Sequence, residues 1–221
     1  MEKSGKFIVL EGGEGAGKGV VIADLHQRLV GRDDVIFTRE PGGTTISEKI
    51  RLVLLSKDNS AMLPLTELFL FCGARAQHVE EKIRLALEKG SIVISDRFDA
   101  STIAYQIFGR RRAQYLKVFE VLNKIAKAGL EPDAVIYLDV NPRVGLERKR
   151  KSQDGLCTRF DEEEEDFHRR VREGYVAQCS RATRKEKGSV PVWHFVPTSE
   201  FSEKEVKEKV WEIVKKILEM E

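Results

Sequence analysis

Long apolar runs are missing from this 221-residue chain. The longest uninterrupted ones are four or five residues, as in Phe7–Leu10 and Ala134–Leu138, far short of the roughly 18–20 that a bilayer-spanning helix requires. No membrane partner is expected. An excess of one charge is missing too: 38 Lys+Arg stand against 36 Asp+Glu, a formal net charge of +2, whereas a generalised nucleic-acid-binding surface makes a domain strongly basic. No nucleic-acid partner is expected either, and any phosphate chemistry has to rest on local clusters. Cysteine is scarce. Cys72, Cys157 and Cys179 are odd in number and widely spaced, and His26, His78, His168 and His194 are equally scattered, so neither a disulfide framework nor a zinc site is supported. The opening MEKSGKFIVLEGG carries a lysine but no apolar core of about 7–15 residues and no small-residue cleavage site, so a cytoplasmic location is expected. Internal repeats and Pro/Gly/Ser-rich linkers are absent. With 41% apolar residues, one domain over residues 1–221, long enough to bury a substantial core, is expected.

What is present is an alternation. Short β-branched runs at Lys6–Leu10, Asp34–Thr38, Ser91–Ser95, Ala134–Val140 and Val190–Val196 recur between longer stretches of helical periodicity. Five buried strands separated by helices predict an α/β fold, a five-stranded parallel sheet wrapped by helices. Val206, Val210, Ile213, Val214, Ile217 and Leu218 recur at helical spacing with Lys and Glu between them, which predicts an amphipathic closing helix. One zone breaks the pattern. Lys149–Asp161, KRKSQDGLCTRFD, is polar, carries Gly155 and sits between two helical patterns, as an exposed lid does; the lid is placed at about 148–161. The acidic run Asp161–Asp166 that follows is read as a helix opening, where carboxylates complement the positive end of the dipole, rather than as a metal site.

Directly after the first strand, Gly12-Gly13-Glu14-Gly15-Ala16-Gly17-Lys18 matches the GxxxxGK phosphate loop, and the helical pattern Val21, Leu25, Leu29 follows. That is the context the motif requires. The glycines let successive N–H groups turn toward one anion, the helix start adds partial positive charge, and Lys18 carries an ammonium to the β- and γ-phosphates. Gly12 to Gly19 are therefore the expected ATP-binding residues. Gly19 stands where Ser or Thr ordinarily gives Mg²⁺ a hydroxyl ligand. Asp96, at the end of the third strand, is the expected metal residue, acting through water.

Three further segments bear on the acceptor. In Thr38-Arg39-Glu40-Pro41-Gly42-Gly43-Thr44 proline stiffens a turn and the glycines allow close approach of a ligand, although an ordinary strand-to-helix turn reads the same way. In the helix of roughly Leu65–Leu87, the core stripe is Leu65, Leu68, Phe69, Cys72, Ala76, Val79 and Ile83. Phe71 and Arg75 lie off it as an i, i+4 pair on one face. An aromatic plate and a guanidinium projecting together suit a base, while periodicity alone equally fits a second packing face. Ser95-Asp96-Arg97, followed by Phe98-Asp99-Ala100-Ser101-Thr102-Ile103-Ala104-Tyr105-Gln106, ends a strand where open parallel sheets bind ligands; a surface Asp–Arg pair is the alternative.

Together FIVLEGGEGAGK, TREPGGT, LFCGAR, SDRFDASTIAYQ and RFDEEEEDFHRRVREGY resemble the bacterial members of the thymidylate kinase family, in order and over nearly the whole chain. The resemblance implies a P-loop nucleoside-monophosphate-kinase fold with a lid, a homodimer, and phosphoryl transfer from ATP to dTMP with Mg²⁺. It implies that Glu14 meets the deoxyribose 3′-OH region and that Arg39, Arg51 and Arg97 hold the dTMP phosphate. Phe71 would stack on thymine and Arg75 bond its carbonyl, with Thr102 and Gln106 nearby, while Tyr105 fills the space a ribose 2′-OH needs. Gly15 and Ala16 occupy the loop positions where some members carry an arginine, so this chain resembles the type with a lid arginine. Lys18, Arg97, Arg148 and Arg150 are then the catalytic cations, with Arg159 next in reach. Two departures stand out: Gly19 and Val20 replace hydroxyl residues, and Thr158 replaces an acidic residue before Arg159. The first motivates an alternative, a nucleotide-binding regulatory protein with reduced catalysis; a kinase for another pyrimidine nucleotide is the rival within the enzyme class.

Overall fold

Strands with apolar side chains on both faces need cover on both, and the helices supply it. The computed structural model describes residues 5–151, 158–183 and 191–220. Residues 152–157 of the lid expected at about 148–161, Gly155 among them, and Val190 of the last expected strand lie outside the described residues. Strands β1 (Lys6–Gly12), β2 (Val35–Arg39), β3 (Ile92–Asp96), β4 (Ala134–Asp139) and β5 (Val192–Pro197) form one parallel sheet in the order β2-β3-β1-β4-β5. Each begins within two residues of its expected start. The helices are α1 (Lys18–Arg28), α2 (Thr45–Leu55), α3 (Pro64–His78), α4 (Arg84–Glu88), α5 (Asp99–Thr102), α6 (Leu116–Lys127), α7 (Pro142–Lys151), α8 (Glu165–Thr183) and α9 (Glu203–Ile217).

Period-two alternation divides the core. On one face Phe7, Val9, Val93 and Val135 pack with Val79, Ile83 and Phe98. On the other Ile8, Leu10, Ile94, Ile136 and Leu138 meet Val21 and Leu25 of α1 and Val206, Val210 and Val214 of α9. Each such side chain stabilises the fold by roughly 1.5–3 kcal/mol when fully removed from water. The closing helix starts on a capping box, in which Ser202 accepts from the Glu205 backbone while the Glu205 carboxylate accepts from the Ser202 backbone.

The helix expected at Leu65–Leu87 is continuous from α3 to α4 but contains a π-helical turn at Val79–Ile83. Phe69, placed in its core stripe by periodicity, is 49% exposed. The reason lies in the partners: Glu67, Arg75 and His78 are buried where polar groups await them, and α3 is turned so that Phe69 faces out. Of the acidic run Asp161–Asp166, expected to open a helix, only Glu165 and Asp166 sit in the first turn of α8; Asp161 to Glu164 precede it in turn backbone, where Asp161 accepts from Thr158 instead.

In the sheet, β2 and β3 lie on one side of β1 and β4 and β5 on the other. That reversal puts a crevice at the carboxyl end of β1, the place where open α/β sheets take ligands.

Candidate active site

The loop after β1 is shaped by glycine. Gly15 and Gly17 have φ of 66° and 91°, the left-handed region that glycine alone enters without strain. Gly17 caps α1 with no side-chain hydrogen bond, so the first N–H groups of α1 point at a prospective anion. Lys18 is buried, its Nζ donating to the Gly12 carbonyl at 3.0 Å and the Gly13 carbonyl at 3.3 Å. Burial, together with the charge of Arg97, lowers its pKa.

Over this loop opens a cavity of about 1040 Å³. One end is walled by Thr198, Phe201 and Ser202 between β5 and α9, the other by Phe71, Tyr105 and Gln106, and Lys18 and Arg97 lie between.

Arg97 organises the middle. At φ 72° it sends Nη1 to the Gly12 carbonyl (2.9 Å) and the Tyr175 hydroxyl (3.1 Å), and Nη2 to Glu14 Oε1 (2.9 Å) and the Tyr105 hydroxyl (3.1 Å). Tyr105 also donates to Glu14 at 2.8 Å. Burial pushes the Glu14 carboxyl up, but Arg97, Lys18 and Tyr105 outweigh it and hold its pKa at about 2. Behind it Glu11 is fully buried and accepts from the backbone N–H of Phe98 and Ser101, the Ser101 hydroxyl and the Tyr175 hydroxyl. It fixes the turn that carries Arg97. The sequence reading missed Glu11, although a carboxylate directly after the apolar run Phe7–Leu10, within the same strand, is itself a signal.

At the acceptor end Arg51 lines the cavity and donates to the Pro41 carbonyl at 2.7 Å. Phe71 is on the wall, packed near Phe160. Gln106 is on the wall as well, with its amide nitrogen bonded to Glu67 at 2.9 Å. Three expected ligand residues do not line this cavity. Arg39 is half-exposed, pairs with Glu48 at 3.0 Å and lines an adjoining cleft of about 780 Å³. Arg75 is 1% exposed and not on the cavity wall. It donates to Glu40 (2.9 Å), Asn123 (3.0 Å), Thr102 (2.9 Å) and the Phe98 carbonyl (3.2 Å). Thr102 is buried beneath it. Glu40 also bonds His78 at 3.0 Å, so Arg75 and His78 anchor the TREPGGT turn from below.

The expected lid arginines separate. Arg148 and the neighbouring Lys149 line the cavity, and Arg148 Nη2 donates to the Thr198 carbonyl at 2.9 Å. Arg150 is exposed and off the wall. Arg159, the next candidate, is 6% exposed, ion-paired to Glu67 and stacked on Phe160, a tether rather than a free cation. Thr158 donates its backbone N–H and its hydroxyl to Asp161.

Asp96 supplies what a hard cation needs. Its Oδ1 is buried and has no hydrogen-bond partner among the described residues, and it borders both the cavity and the cleft. Gly19 borders both too, and a Cβ there would meet nothing within 4 Å. One free carboxylate oxygen beside a phosphate loop fits Mg²⁺, which keeps most of its waters and takes its remaining ligands from phosphate.

Residues 10–187 match the family model described as thymidylate kinase. The thymidylate kinase of Limosilactobacillus fermentum is 43% identical over 180 residues, 80% of this chain and 83% of that protein. That of Desulfovibrio desulfuricans is 46% identical over 178 residues, 77% of this chain and 81% of that protein. The crystal structure of thymidylate kinase from Ehrlichia chaffeensis superposes with a TM-score of 0.72 at 26% identity, covering 95% of this chain and 98% of that one. A sequence match that runs from the phosphate loop to residue 187, on a sheet of the same build, establishes that this chain belongs to the thymidylate kinase family.

Proposed function

We propose that the cavity holds ATP and dTMP end to end, and that the chain transfers the γ-phosphoryl group of ATP to dTMP, the reaction of its family. One observation carries this: a single continuous cavity runs from the Thr198–Ser202 turn, across the phosphate loop, to Phe71 and Gln106. A phosphate oxygen of dTMP, ionised at neutral pH, attacks the γ-phosphorus; that P–O bond forms as the bond to the β-phosphate oxygen breaks, giving ADP and dTDP. No strong general base is required. The demand is for positive charge along the line of transfer, and Lys18, Arg97, Arg51, Arg148 and Lys149 ring that line. Glu14, ionised, orients Arg97 and Tyr105 and faces the sugar of the acceptor. Mg²⁺ would be held by Asp96 with phosphate oxygens, and when bound it neutralises charge developing between the β- and γ-phosphates.

The regulatory alternative draws no support, since the relatives are enzymes by name and the absence of a hydroxyl at Gly19 leaves Asp96 in place. As a finer reading, we take the chain to be a homodimer joined through the outer face of α2, α3 and α6, where Leu52, Phe69, Val121 and Ile125 are exposed.

The reading is tested by ADP release with ATP, Mg²⁺ and each of dTMP, dUMP, UMP and CMP. dTMP should turn over fastest; a higher kcat/KM for UMP or CMP would make this another pyrimidine-nucleotide kinase, and no acceptor-dependent ADP with any of the four would remove the kinase reading.

A further inference from the structure

The helix that carries Arg148 meets the phosphate loop backbone to backbone. A Cβ on Gly145 of α7 would land almost on the carbonyl oxygen of Glu14, and a Cβ on Gly15 almost on the carbonyl oxygen of Gly145. Both obstacles are main-chain atoms, which cannot swing aside as a side-chain tip does. Gly145 is buried within regular helix, its N–H bonded to the Asn141 carbonyl at 2.9 Å. Glycine in a helix interior costs about 1 kcal/mol relative to alanine, so helix propensity does not account for it, and close approach does. One turn further along α7, Arg148 and Lys149 enter the cavity, with Arg148 pinned to Thr198 across it.

We propose that the Gly15–Gly145 contact is a seat that fixes α7 on the phosphate loop, and that Gly145 is the positioning residue for Arg148. This rests on the reading that Arg148 faces the transferring phosphoryl group. A methyl group at 145 would lift α7 and carry the guanidinium off the line of transfer, and a misplacement of about 1 Å can cost on the order of 100-fold in rate. Gly15 carries no side chain for the same reason: with α7 seated there, the cation comes from the helix and not from the loop.

The test is a double-mutant cycle of kcat and KM on the full chain with Gly145→Ala, Arg148→Ala and both. Expected is a kcat loss of about 100-fold for Gly145→Ala with the dTMP KM within about threefold of the parent. The double variant should be no more than about twofold slower than Arg148→Ala alone, because both changes disable one device. Losses that multiply, or a Gly145→Ala kcat equal to that of the parent while Arg148→Ala is slow, overturn the seat. An Arg148→Ala kcat equal to that of the parent overturns the underlying role of Arg148, and the proposal with it. If Gly145→Ala does not fold, the parent decides by hydrogen exchange: amides of residues 143–147 must exchange as slowly in the ligand-free chain as those of α1, and fast exchange there overturns the seat.

Discussion

A guanidinium offers five N–H donors in a planar fork, and at Arg75 that fork reaches four groups inside the protein. Helical phase placed Arg75 off the apolar stripe, but α3 is turned so that Arg75 lies on the buried face beside Leu68 and Cys72. What phase could not reveal is the group opposite: Glu40 comes from a turn far away in sequence and meets Arg75 only once α3 packs on it. The residue is thus an anchor beneath the TREPGGT turn, and its loss leaves the Glu40 carboxylate buried with half its partners. Arg75→Ala should cost about 3–5 kcal/mol in urea unfolding, and Arg75→Lys should not restore it, because an ammonium cannot span four partners. A variant of parental stability with dTMP affinity lost would return Arg75 to reading the base. Arg97 differs: placed by the sequence at the end of a parallel strand, it lies on the cavity wall, where Tyr175 accepts from its guanidinium and Glu11 fixes its turn.

Among the elements, strands were the most legible, because β-branched runs of a few residues have few other uses in an α/β chain. The π turn at Val79–Ile83 left no trace, since one extra residue in a helix changes phase without changing composition. The docking of residues 158–163 was equally hidden. Arg159, Arg110 and Gln106 converge on Glu67, whose side chain is 1% exposed, and none of these is near α3 in sequence. Glu67 therefore clasps residues 158–163 to α3, which sets Phe160 against Phe71 and Tyr105. Glu67→Ala should speed amide exchange across residues 158–163 by at least about tenfold while leaving that of β1 and β3 near parental values. Unchanged exchange in 158–163 would show that the apolar contacts of Phe160 suffice alone.

At the scale of the molecule, the phosphate loop and the parallel sheet follow from motif and period, whereas the outer surface does not, because an exposed apolar residue and a core residue have the same period on a helix. Val121 and Ile125 are 62% and 71% exposed on α6, and Leu52 of α2 is 71% exposed. Val121→Glu puts a charge into that face, and on the proposed dimer sedimentation should show a dimeric parent giving way to a monomeric variant with the fold intact; a variant that still sediments as a dimer would place the interface elsewhere. The strand order has a consequence for biosynthesis. β1 pairs only with β3 and β4, Lys6 opposite Ile92 and Ile8 opposite Ala134. On the ribosome the glycine loop emerges before β3 and β4, so no strand stands on either side of β1 until those later segments follow, while Phe7 to Leu10 have apolar surface to hide on both faces. The nascent chain thus carries its nucleotide motif long before it can grip a nucleotide, and ATP cannot serve as a template for its early folding.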